Sequence, residues 1–189
     1  MRIDFRKVRF VTSSVDLKGR PGDAYPEVLV VGRSNVGKSS LINALVGQKI
    51  AFSSKRAGKT KLLNFFLIDE RFYLVDSPGY GSTGFANLNT ISFSRMMESY
   101  YGDKRLKAIV LLVDFRREMG EDDLAFLRYL EGFPCKLICV GTKSDMMNQK
   151  ERALAAKRAA SAGIGEIVFS DLSSASLSSI RASIASSLA

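Results

Sequence analysis

The stretch Gly32-Arg33-Ser34-Asn35-Val36-Gly37-Lys38-Ser39 constrains this chain more than any other. It follows the β-branched run Val28-Leu29-Val30-Val31 directly and leads into the helical pattern Lys38–Val46. A short continuous apolar run bounded by turn residues fits a strand buried on both faces. The octapeptide has the spacing G-x-x-x-x-G-K-[ST], and its strand–turn–helix setting makes that spacing a phosphate cradle. The two glycines let the backbone curl so that its N–H groups converge on an anion, and the helix N-terminus adds its positive dipole end. Lys38 then supplies a point charge to β- and γ-phosphates, and the Ser39 hydroxyl is placed to ligate Mg2+.

The rest of the chain continues the alternation of apolar runs and helical patterns. Phe5–Val11 alternates and could be an edge strand. Leu62–Ile68 and Phe72–Val75, separated by Asp69-Glu70-Arg71, predict an antiparallel hairpin. Ala108–Val113, Lys136–Val140 and Ile167–Phe169 read as strands; Ile91–Tyr100, Glu121–Leu130, Gln149–Ala162 and Leu177–Leu188 read as helices. Such alternation implies an α/β fold of three layers, with a mostly parallel sheet and helices on both faces. Six strands are expected, one of them antiparallel. Residues 1–189 are expected to form one domain, with residues 1–26 an N-terminal strand and loop and residues 27–189 the core.

Further candidate site residues follow in chain order. Asp76-Ser77-Pro78-Gly79 leaves the strand Phe72–Val75, where a carboxylate can hold Mg2+ through water and the Gly79 amide can approach a γ-phosphate. Thr60, in the basic loop before the hairpin, is the expected second protein ligand for Mg2+ by its place in that order. Thr142-Lys143-Ser144-Asp145 fits [NT]-K-x-D after the strand Lys136–Val140. The Asp145 carboxylate can accept from the N1–H and 2-amino group of guanine, a donor pair adenine lacks, and the stem of Lys143 can lie over the ring. These features select GTP and GDP over adenine nucleotides. A last base-contacting loop is either Ser170-Asp171-Leu172 or Ser173-Ser174-Ala175. The first is favoured because it leaves the strand Ile167–Phe169 immediately, where ligands bind in open α/β sheets.

Composition removes other chemistries. The chain has no His and two cysteines, which rules out imidazole catalysis and leaves no disulfide framework or thiolate metal cage. Cys135 and Cys139 read as core thiols. The charged N-terminus MRIDFRKVRF lacks an apolar signal segment, and no apolar run reaches the ~20 residues of a membrane span. A cytoplasmic monomer without membrane insertion is expected. The net charge of +9 lies in the first third, since residues 1–61 hold 13 Lys/Arg against 4 Asp/Glu. An anionic partner follows from that asymmetry. Arg2, Arg6, Lys7, Arg9, Lys18 and Arg20 form a candidate RNA-contacting edge, and Lys49, Lys55, Arg56, Lys59 and Lys61 crowd the loop around Thr60. Asp114, Arg116 and Arg117 read as surface charges, and Phe65-Phe66 as core.

GRSNVGKSSLINAL, GKTKLLNFF, DSPGYG, TKSD and FSDL, in this order, resemble the EngB (YihA/YsxC) family of bacterial ribosome-assembly GTPases, in the TrmE–Era–EngA–YihA–septin group. The likeness runs from about Phe5 to Leu188. It implies a P-loop GTPase fold without appended modules, hydrolysis of GTP, action on the large ribosomal subunit precursor and its rRNA, and a part in normal septation. The implied nucleotide set is Gly32, Arg33, Ser34, Asn35, Val36, Gly37, Lys38, Ser39, Ser40, Gly58, Lys59, Thr60, Lys61, Leu62, Asp76, Ser77, Pro78, Gly79, Thr142, Lys143, Ser144, Asp145, Phe169, Ser170 and Asp171. Ser39, Thr60 and Asp76 would serve Mg2+, and Lys38, Thr60, Gly79 and Asn35 would serve catalysis. In similar GTPases an Asn at the place of Asn35 helps bind K+, which stands in for an arginine finger. Ala57, Lys61, Met146 and Asp171 depart from the family pattern, and Asp171 bears on the base contact. Tyr80 follows Gly79 where many GTPases carry a water-orienting Gln. A nucleotide-gated rRNA-binding switch with negligible hydrolysis unless a partner is bound is therefore the alternative reading.

Overall fold

The computed structural model describes residues 3–51, 62–80, 88–165 and 167–189. Its strands are β1 (Val8–Ser14), β2 (Glu27–Gly32), β3 (Leu63–Ile68), β4 (Phe72–Asp76), β5 (Leu106–Val113), β6 (Lys136–Gly141) and β7 (Ile167–Phe169). Its α-helices are α1 (Lys38–Val46), α2 (Leu88–Tyr100), α3 (Glu121–Glu131), α4 (Gln149–Ser161) and α5 (Ser174–Ser187).

The sheet has seven strands, not six, in the order β1-β3-β4-β2-β5-β6-β7. The additional strand is the N-terminal one. It begins at Val8 rather than Phe5, and it pairs antiparallel with β3 across a bulge between Phe10 and Thr12. Phe5 instead buries its ring against Phe72, at 5.8 Å between centroids, so the chain turns inward before the strand starts. β3 alone runs against the other six, because a tight hairpin joins it to β4. Asp69 and Glu70 both take φ of 49°, the conformation of a type I′ turn, whose twist matches that of the flanking strands.

Alternation along the strands sorts side chains between two cores. Leu29, Val31, Phe65, Val75, Ile109 and Leu111 face α2, α3 and α4. Val28, Val30, Phe66, Leu74, Val110 and Val140 face α1 and α5. Phe65 and Phe66 are therefore both buried, one in each core. Cys139 is buried and Cys135 half-buried, and burial pushes their thiols up to about 12 and about 11, so both stay protonated at neutral pH.

Helix ends follow local chemistry. Asn148 accepts from the Glu151 amide while Glu151 accepts from the Asn148 amide, the reciprocal box that starts α4. Asp123 accepts from the Gly120 amide at the start of α3. The last helix begins at Ser174, three residues earlier than the apolar spacing predicts, because the Ser173 hydroxyl caps the Ser176 amide. Arg181 of α5 donates to the carbonyls of Ala44 and Leu45, satisfying the end of α1.

Candidate nucleotide-binding site

Five parallel strands finish on one edge of the sheet, at Gly32, Asp76, Val113, Gly141 and Phe169. Open α/β sheets bind ligands at that edge. Gly37 has φ of 110°, a region side chains avoid, and it caps α1 without a side chain. The first-turn amides of α1 thus have no side-chain acceptor and point, with the dipole, toward an anion. Lys38, Ser39 and Ser40 stand on that first turn.

Asp76 is the last residue of β4 and is buried. Among the described residues, its Oδ1 is the one buried side-chain oxygen or nitrogen without a hydrogen-bond partner. Burial pushes its carboxyl up to about 6, opposed by the charge of Lys38 and a bond from Asn64. Burial also lowers the Lys38 ammonium, while Asp76 raises it. A buried carboxylate with a spare oxygen is costly unless something cationic occupies it. The Asp76 carboxylate and the Ser39 hydroxyl are hard-oxygen donors of the kind that suits Mg2+.

The residues after Asp76 are zipped to the phosphate loop. The Tyr80 amide donates to Gly32 at 3.2 Å, and the Ser34 amide donates to the Tyr80 carbonyl at 3.0 Å. A Cβ on Gly79 would lie 2.9 Å from the Ser34 Cα, so this approach requires glycine. Ser77 spends its hydroxyl on the Val30 carbonyl at 2.7 Å. The Tyr80 ring turns away into α2 and α3, 4.3 Å from Phe126 and 5.9 Å from Phe93 between centroids. Burial raises its phenol well above the ordinary value. Arg33 pairs with Asp123 at 3.2 Å, tying the phosphate loop to α3.

On the other side, Thr142 is held by the Val113 carbonyl, Ser144 by the Ser170 carbonyl, and Ser170 by the Gly141 carbonyl. Lys143 has φ of 57°, and its ammonium donates to the Asn35 carbonyl at 3.3 Å and to Asp114 at 3.1 Å. Asp145 is exposed. Ser170 is buried within this loop, whereas Ser174 and Ala175 lie in the first turn of α5. Asp171 turns its carboxylate to the Ser173 amide and the Ser176 hydroxyl, which hold it below the usual carboxylate range.

The structure thus brings Gly32–Ser40, Asp76–Gly79, Thr142–Asp145 and Phe169–Asp171 to one edge. Leu62 precedes β3 and is half-buried. Gly58, Lys59, Thr60 and Lys61 lie outside the described residues, as do Arg2, Lys55 and Arg56.

Sequence reasoning misreads one residue and misses another. Asp114 is not a plain surface charge: it joins Lys143 to Arg116, which hold its carboxyl well below the usual range. Arg152 donates to the carbonyls of Ser144 and Met147, bracing the same loop. An Asp closing a strand beside the phosphate-loop strand was the available signal for the first; nothing local marks the second. Three residues of the N-terminal basic edge also carry acidic partners. Lys7 pairs with Asp69, Arg9 with Glu70, and Arg20 turns inward to Asp103 and Glu27.

This fold and site define a P-loop GTPase. The family described as 50S ribosome-binding GTPase matches residues 27–143. The probable GTP-binding protein EngB of Clostridium beijerinckii is 45% identical over 153 residues, covering 80% of this chain and 76% of that one. Its counterpart in Solibacter usitatus is 39% identical over 187 residues, 96% of each chain. The chain belongs to the EngB family of GTP-binding proteins. Among solved structures, a probable GTP-binding protein engB aligns at a TM-score of 0.63 and 22% identity, covering 86% of this chain and 98% of that one. Era in complex with MgGDPNP and nucleotides 1506–1542 of 16S ribosomal RNA aligns at 0.62 and 20%, covering 87% and 56%. At such identities the likeness concerns the fold. Among the described residues, no helix is long and apolar enough to cross a membrane.

Proposed function

We propose that this GTPase holds GTP with Mg2+ on the Gly32–Ser40 loop, hydrolyses it to GDP and phosphate, and uses its nucleotide state to gate docking on precursors of the large ribosomal subunit. The orphaned, buried Oδ1 of Asp76 carries this reading, because a carboxylate left unpaired beside Lys38 is the arrangement a metal–phosphate group completes. Bound Mg2+ would neutralise charge developing on the phosphate oxygens. Ser39 would ligate it directly, Asp76 would hold it through water, and Thr60 would be the further ligand. Lys38 and the α1 amides bind and orient the phosphates. The Gly79 amide, pinned beside Ser34, is the donor for the γ-phosphate, and Asn35 is the K+ ligand. Thr142–Asp145 and Ser170 frame guanine.

Proposed partners are rRNA and the large subunit precursor, in keeping with the family's description as ribosome-binding. The protein acts as a cytoplasmic monomer, and normal septation depends on it through ribosome supply. Phosphate release with and without large subunits, in KCl and in NaCl, tests the catalytic part. Pelleting with subunits across a salt series, with GDP or a non-hydrolysable GTP analogue, tests the gating. Binding indifferent to nucleotide and salt overturns the proposal.

One observation favours the second reading. Tyr80 occupies the place of the water-orienting Gln and is locked between Phe93 and Phe126. A switch that turns over only when a partner is bound accounts for that. Turnover confined to the subunit-bound state selects it.

A further inference from the structure

Lys143 bridges the base-recognition loop and the phosphate loop, and its backbone lies in the left-handed region at φ 57°. A side chain there needs external support, since the conformation is disfavoured for residues with a Cβ. Upstream, the chain is fixed by the bond from the Thr142 amide to the Val113 carbonyl. The peptide after Lys143 is fixed at both ends, its Ser144 amide donating to the Ser170 carbonyl and its Lys143 carbonyl accepting from the Met146 amide. The ammonium itself has two acceptors, the Asn35 carbonyl at 3.3 Å and Asp114 Oδ2 at 3.1 Å. Only the second is charged, and bonds to an ionised acceptor are about twice as strong as neutral ones.

The same carboxylate holds a second cation. Arg116 grips Asp114 through Nε at 2.9 Å and Nη2 at 2.7 Å, a bidentate pair. Arg116 also donates through Nη1 to the Met146 sulfur at 2.8 Å, the residue directly after Asp145, and the Asp145 charge acts on it. Asp145 is the group that reads guanine, so a freed guanidinium would compete with the N1–H and 2-amino donors for it.

We propose that Asp114 is a positioning residue for guanine recognition: it holds the Lys143 ammonium against the phosphate loop and keeps Arg116 off Asp145. This rests on the GTPase reading above. It acts through the two side chains that it holds, Lys143 and Arg116.

The test is titration of fluorescent GDP and IDP, the latter lacking the 2-amino group, against the full chain. Asp114→Ala should weaken GDP about tenfold or more, the loss expected when a bond to a charged group is removed. IDP should weaken less, because it has no 2-amino group to lose, so the GDP/IDP preference shrinks. Asp114→Asn keeps an acceptor for Lys143 and should fall between. Arg116→Ala alone should stay within about twofold of wild type. Adding it to Asp114→Ala should restore part of the preference, since the competing cation is gone. A folded Asp114→Ala protein with an unchanged GDP/IDP ratio overturns the proposal, whether both affinities hold or both drop equally. Should that variant fail to fold, an unchanged ratio in Asp114→Asn does the same. Wild-type protein that binds neither nucleotide would count against the GTPase reading, which separates the two failures.

Discussion

Two carboxylates are buried at opposite ends of the same sheet, and they are treated differently. Glu27 opens β2 at the end away from the phosphate loop. It accepts from the Tyr100 hydroxyl at 2.7 Å and has Arg20 at 3.7 Å and Arg105 at 3.9 Å. Asp76 closes β4 at the other end with one oxygen unpaired. Burial raises both carboxyls. Glu27 is enclosed by partners from the N-terminal loop, α2 and the turn before β5, which makes it part of the scaffold. Asp76 is held by Asn64 and faces Lys38, and it keeps capacity for a ligand. A fold that satisfies one buried carboxylate and spares another has marked where its chemistry lies.

The largest effect should come from Asp76→Asn. Turnover, followed by phosphate release at saturating Mg2+, should fall roughly 100- to 1000-fold, since metal-centred charge stabilisation is worth several kcal/mol. Its thermal midpoint should change little, because burial already disfavours the Asp76 charge and the amide keeps an acceptor for Asn64. Undiminished turnover would break the comparison at once.

Glu27→Ala should do the reverse. Unfolding free energy in urea should fall by about 3 kcal/mol, the order expected when one partner of a buried pair is removed. Turnover per folded molecule should stay within about twofold. A catalytic loss larger than the stability loss would show that the far end of the sheet reaches the site.

Tyr80 sharpens the contrast because it stands at the nucleotide edge yet is packed like the far end. Tyr80→Ala should cost roughly 2 kcal/mol of stability through lost aromatic packing. It should also loosen the segment carrying Gly79, raising KM for GTP. Tyr80→Phe should restore both, since the phenol is not the group in use. Failure of Phe to rescue would give the hydroxyl a role.

The smallest effect is a pH difference. Burial raises the Glu27 carboxyl above 4.5 in the folded state, so the folded chain holds that proton more tightly than the unfolded one. Its contribution is most favourable below 4.5 and is lost as pH rises through the folded value. The stability of wild type relative to Glu27→Gln should therefore decline as pH rises from 4 toward 7, read from paired urea curves. A flat or rising difference would contradict the direction of the shift.

Much of this architecture was legible beforehand. Val28–Val31, Lys38–Val46 and Leu63–Ile68 announce themselves because burial and helical spacing leave direct traces in residue order. The hairpin was read correctly although neither Asp69 nor Glu70 is a glycine, because the apolar runs on both sides determine the register. The N-terminal strand was placed three residues too early, since Phe5 looks like part of an alternating strand and is used as core. The ion pairs within the basic edge are hidden from the sequence for a related reason. A count of Lys and Arg in residues 1–61 cannot tell that Arg9 meets Glu70, 61 residues away, or that Arg20 meets Asp103, 83 away.

The local chemistry of the phosphate loop needed only its own residues. Gly37 must be glycine to take φ of 110°, Lys38 and Ser39 must follow it to stand on the first turn, and a buried strand must precede it. Those are short-range demands, which is why residue order alone marked the phosphate loop. What the tertiary structure decided is everything that depends on strand order. Because β5 lies between β2 and β6, Asp114 reaches Lys143 across 29 residues, and Lys143 reaches Asn35 across 108. Because β2 pairs with both β4 and β5, Asp76 ends beside the loop that carries Lys38. Contacts of that separation are determined by which strands are neighbours, a property of the assembled sheet rather than of any stretch of sequence.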